Sequence, residues 1–115
     1  MFIPGDLPSP RDLPTLQVEL RTDPGGYTIR LVGELDCSSA GQLLESVGSI
    51  TVDGRREVVL DVADLTFCDA AGLSAILRVD RFVAAASGHL SVRDASRQMR
   101  RLLALTGLDR SLDLE

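Results

Sequence analysis

The chain has 115 residues, 44% of them hydrophobic, which fits one small domain around one core. A formal charge of −5 argues against nonspecific or direct nucleic-acid binding. No apolar run approaches the ~18 residues of a membrane span, and the N-terminus lacks a basic region followed by an apolar core, so a cytoplasmic protein away from membranes is expected.

Met1 to Pro14 holds four of the five prolines, Pro4, Pro8, Pro10 and Pro14. Proline lacks an amide donor and restricts the residue before it, so 1–14 reads as a flexible arm and 15–115 as the domain proper. Thr15 to Arg21 alternates, with Leu16, Val18 and Leu20 on one face and Gln17, Glu19 and Arg21 on the other, the pattern of a half-buried strand. Asp23 to Gly26 is a turn, and Tyr27 to Gly33 alternates again, which predicts an antiparallel hairpin.

From Ser39 to Ser49 the period becomes helical, with Ala40, Leu43, Leu44 and Val47 recurring. Ser39 followed by Gln42 matches a capping box at the helix start. Arg56 to Val62 is the most apolar strand and reads as central. A helix separates it from the hairpin, so a parallel crossover is expected.

Gly72 to Ala86 is predicted as the second helix, its buried stripe made of Gly72, Ala75, Ile76, Val79, Phe82, Val83 and Ala86. Gly88 is its expected stop. Leu73 and Leu77 fall about 100° to 140° from Gly72, on a flank of that stripe. Two readings stay open for them: packing against a neighbouring helix, or an apolar docking surface beside the helix start. His89 to Arg93 is a strand, Ser96 to Thr106 a third helix closed by Gly107, and Ser111 to Leu114 a short last strand. Three strands carry a polar face, so helices are expected mainly on one face of a mixed sheet. The fold class is α/β.

Signs of catalysis are few. The single histidine, His89, falls on the polar side of a short strand, no carboxylate pair stands out, and two cysteines with one histidine give no zinc spacing. The glycines form neither a P-loop nor a dinucleotide fingerprint. Neither cofactor nor metal is expected, and no enzyme. Cys37 and Cys68 leave two readings, a redox-sensitive bridge or two unrelated small thiols, and the second is favoured. Arg93, Arg97, Arg100 and Arg101 cluster around the third helix, either as a solvated face or as a patch for an anion or acidic partner.

Two motifs then carry a resemblance. "LVGELD", Leu31 to Asp36, and "VVLDVADLTFCDAAGLSAIL", Val58 to Leu77, resemble the loop and the strand-to-helix signature of the STAS domain in its stand-alone bacterial form. "LLALTGL", Leu102 to Leu108, fits the usual helix end. The similarity covers about Thr15 to Leu114 and implies a STAS-like mixed sheet. It further implies an anti-sigma factor antagonist, which binds a serine-kinase-type anti-sigma factor and frees a sigma factor. The serine that such a kinase phosphorylates matches Ala70, and a second serine matches Ala71, so no phosphorylation site is expected here. Asp36 and Asp69 match the acidic positions of the partner-binding face, and the expected face is Asp36, Asp69, Ala70, Ala71, Leu73 and Leu77. Asp69 also has a local role available as a helix N-cap. The rival reading is an accessory or scaffold STAS subunit of a transporter or larger signalling complex, and a homodimer is a further option.

Overall fold

A computed structural model of the protein describes residues 15–50 and 57–115. The proline-rich arm, 1–14, and the expected strand start at Arg56 lie outside the described residues. In chain order the elements are β1 (Leu16–Asp23), β2 (Gly26–Leu35), α1 (Ala40–Gly48), β3 (Glu57–Cys68), α2 (Ala70–Ala85), β4 (His89–Arg93), α3 (Arg97–Thr106), a 3-10 turn (Leu108–Arg110) and β5 (Asp113–Leu114). The strands make one sheet in the order β1-β2-β3-β4-β5, antiparallel between β1 and β2 and parallel thereafter. The longest apolar strand, β3, is central, as its composition predicts.

Strand register sorts the side chains into two faces. Ile29, Leu60 and Val92 are neighbours across β2, β3 and β4, and Val58 lies beside Leu90; all five are 2% exposed or less. This face packs against the helices in a single core cluster that is almost wholly aliphatic. Each fully buried leucine or isoleucine in it contributes roughly 1.5–3 kcal/mol relative to exposure. The opposite face carries a row of alternating charge, Glu19–Arg30–Asp61–Arg93, one residue from each of four adjacent strands. Arg30 pairs with Glu19 at 2.9 Å and with Asp64, and Arg93 pairs with Asp61 at 3.1 Å. Opposite charges side by side suit an open face, because a like-charge row there would repel.

Several local expectations change in the structure. Leu16 is buried, but Leu20 on the same face of β1 is 45% exposed. The reason is the short reach of α1 over this edge strand: Gln42 Nε2 donates to the Leu16 carbonyl at 2.8 Å, which ties the helix to the start of β1 only. That bond also removes Gln42 from the expected capping box. Ser39 does occupy the N-cap position, but its hydroxyl donates to the Glu34 carbonyl at 2.9 Å and caps nothing. The helix α2 ends without glycine in the left-handed position. Ser87 takes φ 65°, the Ser87 amide donates to Ala84 and the Gly88 amide to Val83, the bond pattern of a Schellman stop with Gly88 one place beyond. In α2 itself, Phe82 is 41% exposed and Leu73 is 1% exposed, the reverse of the expected stripe.

β3 runs six residues past the expected end. Its register against β2 slips twice, between Arg30 and Val32 and between Gly33 and Glu34, so β3 gains one extra residue at each slip. Such bulges re-aim side chains and commonly lie beside functional sites. Their result here is that Leu35 pairs with Cys68, bringing the ends of β2 and β3 level.

Candidate functional site

Where β2 and β3 end together, two turns meet. One runs from Leu35 into α1, the other from Cys68 into α2. The Asp69 amide donates to the Leu35 carbonyl at 3.3 Å and stitches them. Gly72, in the first turn of α2, lies directly against this joint: a Cβ there would come within 2.5 Å of Leu35 O and 2.9 Å of Cys68 Sγ. Glycine at this position is therefore a packing requirement.

Each turn is built by its aspartate. Asp36 Oδ1 accepts from the Ser38 hydroxyl at 2.6 Å, from the Ser38 amide at 2.9 Å and from the Ser39 amide at 3.2 Å. The Ser38 hydroxyl above all, with the amides, holds the Asp36 carboxyl below the usual carboxylate range, against the opposing effect of desolvation. Asp36 thus keeps its negative charge at neutral pH. Asp69 is extended in backbone and is the N-cap of α2, its Oδ1 accepting from the Gly72 amide at 2.9 Å. The local role expected for Asp69 is the one the structure gives it.

The two alanines follow Asp69 as the first residues of α2. Ala70 is exposed and Ala71 half-buried. Ser74, one turn further along α2, is also exposed, and Thr66 before the turn donates to the Gly33 carbonyl at 3.0 Å. Leu77 is half-buried and packs against the core cluster. Leu73 is a correction. It belongs to the core, because α2 packs on α1 as well as on the sheet and a wider arc of the helix is covered than one stripe. Of the six residues expected on the face, Asp36, Asp69, Ala70 and Ala71 come together at the turns, Leu77 lies on the helix beyond, and Leu73 faces inward.

Cys37 is exposed and Cys68 half-buried, and both are free thiols. Burial, with the Asp69 charge adding to it, pushes the Cys68 thiol up to about 12, so it stays protonated and unreactive at neutral pH. Among the described residues no cluster of three metal-ligating side chains occurs, and no helix is long and apolar enough to cross a membrane. One residue beside the turns escaped the sequence reading. Phe67 is 47% exposed at the end of β3, next to Cys68 and Asp69. The two bulges cancel at Phe67, which falls on the polar face that the alternation of Val58, Leu60 and Val62 assigns to odd positions.

These features define the class first: a single mixed sheet layered under helices, with two aspartate-capped turns meeting at the ends of parallel strands. A family model described as "Mlab, STAS domain" matches residues 18–114, and the chain belongs to the STAS domain family. The anti-sigma F factor antagonist of Paenibacillus polymyxa is 30% identical over 94 residues, covering 81% of this chain and 80% of that protein. The crystal structure of an anti-sigma factor antagonist from Mycobacterium paratuberculosis superposes with a TM-score of 0.76 at 23% identity, over 94% of this chain and 89% of that one. The phosphorylated form of the Bacillus cell fate determinant SpoIIAA superposes with a TM-score of 0.64 at 24% identity, over 87% of this chain and 90% of that one. The fold is therefore that of solved anti-sigma factor antagonists.

Proposed function

We propose that this protein is a binding regulator of the anti-sigma factor antagonist type. It captures a serine-kinase-type anti-sigma factor through the paired turns and so frees a sigma factor. It has no catalytic step of its own. The face consists of Asp36, Asp69, Ala70 and Ala71, with Leu77 at its margin. Kinship with a relative named as an anti-sigma F factor antagonist supports the reading.

The observation that carries the regulatory half of the proposal is Ala70, exposed at the first position of α2. A serine there would offer an acceptor oxygen to a docked kinase. Phosphorylation would add about −1.5 to −2 charge at the start of α2, at the cost of like-charge repulsion and desolvation in an interface. A methyl group accepts nothing. Ser74 lies four residues on, roughly 6 Å along the axis at 1.5 Å per residue, out of line for a transfer that depends on positioning. On this reading the complex persists in ATP and is controlled by the amount of protein or by another signal.

The experiment mixes the protein with its cognate anti-sigma kinase and ATP, then measures intact mass and complex lifetime. The wild type should gain no phosphate and stay bound, while Ala70→Ser should gain one phosphate and dissociate. Stoichiometric phosphate on the wild type, with release of the partner, would refute constitutive binding. Failure of either protein to bind the kinase, with recovery in a larger membrane or signalling assembly, would favour the scaffold reading instead.

A further inference from the structure

Two of the large apolar side chains that the fold leaves exposed lie together. Phe67 at the end of β3 and Leu105 near the end of α3, the latter 76% exposed, line one groove between these elements. Its floor includes Met99 and Leu102, and its volume is about 270 Å³. That is near or below the lower end of small-molecule sites, roughly 300–1,000 Å³, but it is room for one or two anchoring side chains.

The rim is basic on an otherwise acidic protein. Of the arginines clustered around α3, Arg93 is engaged by Asp61, and Arg100 donates to the Ala95 carbonyl and to the Glu115 backbone carbonyl. Arg101, which lines the groove, has no ion-pair or hydrogen-bond partner among the described residues, and neither has Arg97 one turn before it. Arg97, Arg101 and Leu105 follow one another at intervals of four residues, so two uncommitted guanidinium groups and an exposed leucine run along one flank of α3.

We propose that this groove is a second docking surface, for an acidic amphipathic segment of a partner protein. Its apolar side chains would seat between Phe67 and Leu105, and its carboxylates would meet Arg97 and Arg101. Apolar anchors in a groove give the contact its affinity, and charge at the rim gives it orientation and partner choice. The surface stands apart from the alanine turn in composition, and the proposal does not depend on Ala70. Phe67 nevertheless joins the two through Cys68 and Asp69, so one partner can engage both.

The test titrates the isotope-labelled full chain, by amide NMR, with a synthetic helical peptide bearing leucines on one face and glutamates on its flanks. A second peptide has lysines in place of the glutamates. The acidic peptide should shift the amides of Phe67, Arg101 and Leu105 and bind about tenfold more tightly than the basic one, an advantage that salt reduces. Double charge reversal, Arg97→Glu with Arg101→Glu, should invert that preference. Leu105→Glu should abolish binding without moving the unfolding curve, because the side chain is outside the core. Arg81→Glu, on the exposed side of α2, should leave binding unchanged. Equal affinity for the two peptides, shifts elsewhere, or no inversion on charge reversal would overturn the proposal. Self-association in sedimentation that Leu105→Glu removes would also overturn it, by assigning the groove to a second copy of the chain.

Discussion

Gly72→Ala sets two effects of one methyl group against each other. In a helix interior, alanine is favoured over glycine by up to ~1 kcal/mol. At this position the new Cβ would lie 2.5 Å from Leu35 O, 2.9 Å from Cys68 Sγ and 3.0 Å from Leu35 Cγ. The nearest atom is a backbone carbonyl fixed twice over, by the pairing of Leu35 with Cys68 and by the Asp69 amide, so it cannot yield cheaply. Overpacking of this kind costs about 1–3 kcal/mol, and a backbone obstacle puts it in the upper part of that range. The net should be a destabilisation of about 1–2 kcal/mol. At about 2.1 cal/mol/K of unfolding entropy per residue, each kcal/mol moves Tm by about 4 °C, so thermal unfolding should show a fall of about 4–8 °C. Gly41→Ala is the matched control: it is exposed in α1 with nothing within 4 Å of its Cβ, and should melt at or slightly above the wild type. A Gly72→Ala variant as stable as Gly41→Ala would refute the argument that close packing at the joint excludes a side chain.

Ser87→Gly should stabilise by about 0.5–1 kcal/mol, because φ 65° suits glycine better than serine; a chemical denaturation midpoint at or below wild type would contradict this. Leu73→Ala should cost about 2–5 kcal/mol in the same measurement, whereas a docking leucine would leave the free protein's curve in place. His89 is raised above its usual pKa, first by its hydrogen bond with Asp113 at 2.7 Å, which outweighs the opposing desolvation with further help from the Asp113, Glu57 and Asp80 charges. The stability it supplies is therefore fully present below the unfolded value near 6.5 and is lost as pH rises through the folded value. The stability difference between wild type and His89→Gln should shrink over that window, modestly because the pair is half-exposed; a difference that grows with pH would reverse the assignment.

Periodicity made the fold readable wherever one physical rule acted alone. The alternation of β2 and the helical spacing of α3 are local, and both elements appear where the pattern puts them, with Ser96 accepting from the Met99 amide and Gly107 closing the helix at φ 76°. The reading failed where a tertiary contact took over a local group. Gln42 is drawn from its cap to the Leu16 carbonyl, and Leu73 is covered once α1 lies beside α2. It also failed in the second half of β3, where the first bulge turns Asp64 outward and Leu65 toward the core, against the period of two, before the second restores it at Phe67. Asp36 and Asp69 were legible as acidic positions of a face through resemblance alone, although the N-cap role of Asp69 was legible from its place before the second helix. That Asp36 is spent on building its own turn is a matter of hydrogen bonds between residues two and three apart, which composition does not reveal.

The division of labour at the joint explains why losing a hydroxyl need not disturb the fold. The hydrogen bonds that build the turn into α2 are made by Cys68, Asp69, Gly72, Leu73 and the Leu35 carbonyl, and Ala70 contributes no side-chain atom to them. An exposed first helical position accepts serine or alanine with a propensity difference of at most about 0.5 kcal/mol. Selection on stability therefore has almost no hold on residue 70. Selection on regulation acts there through one oxygen. The family match over residues 18–114 holds with alanine at position 70. Two proteins with this frame can thus share a docking surface while one is switched by phosphate and the other is not, and on the proposed reading Ala70 puts this chain among those that are not.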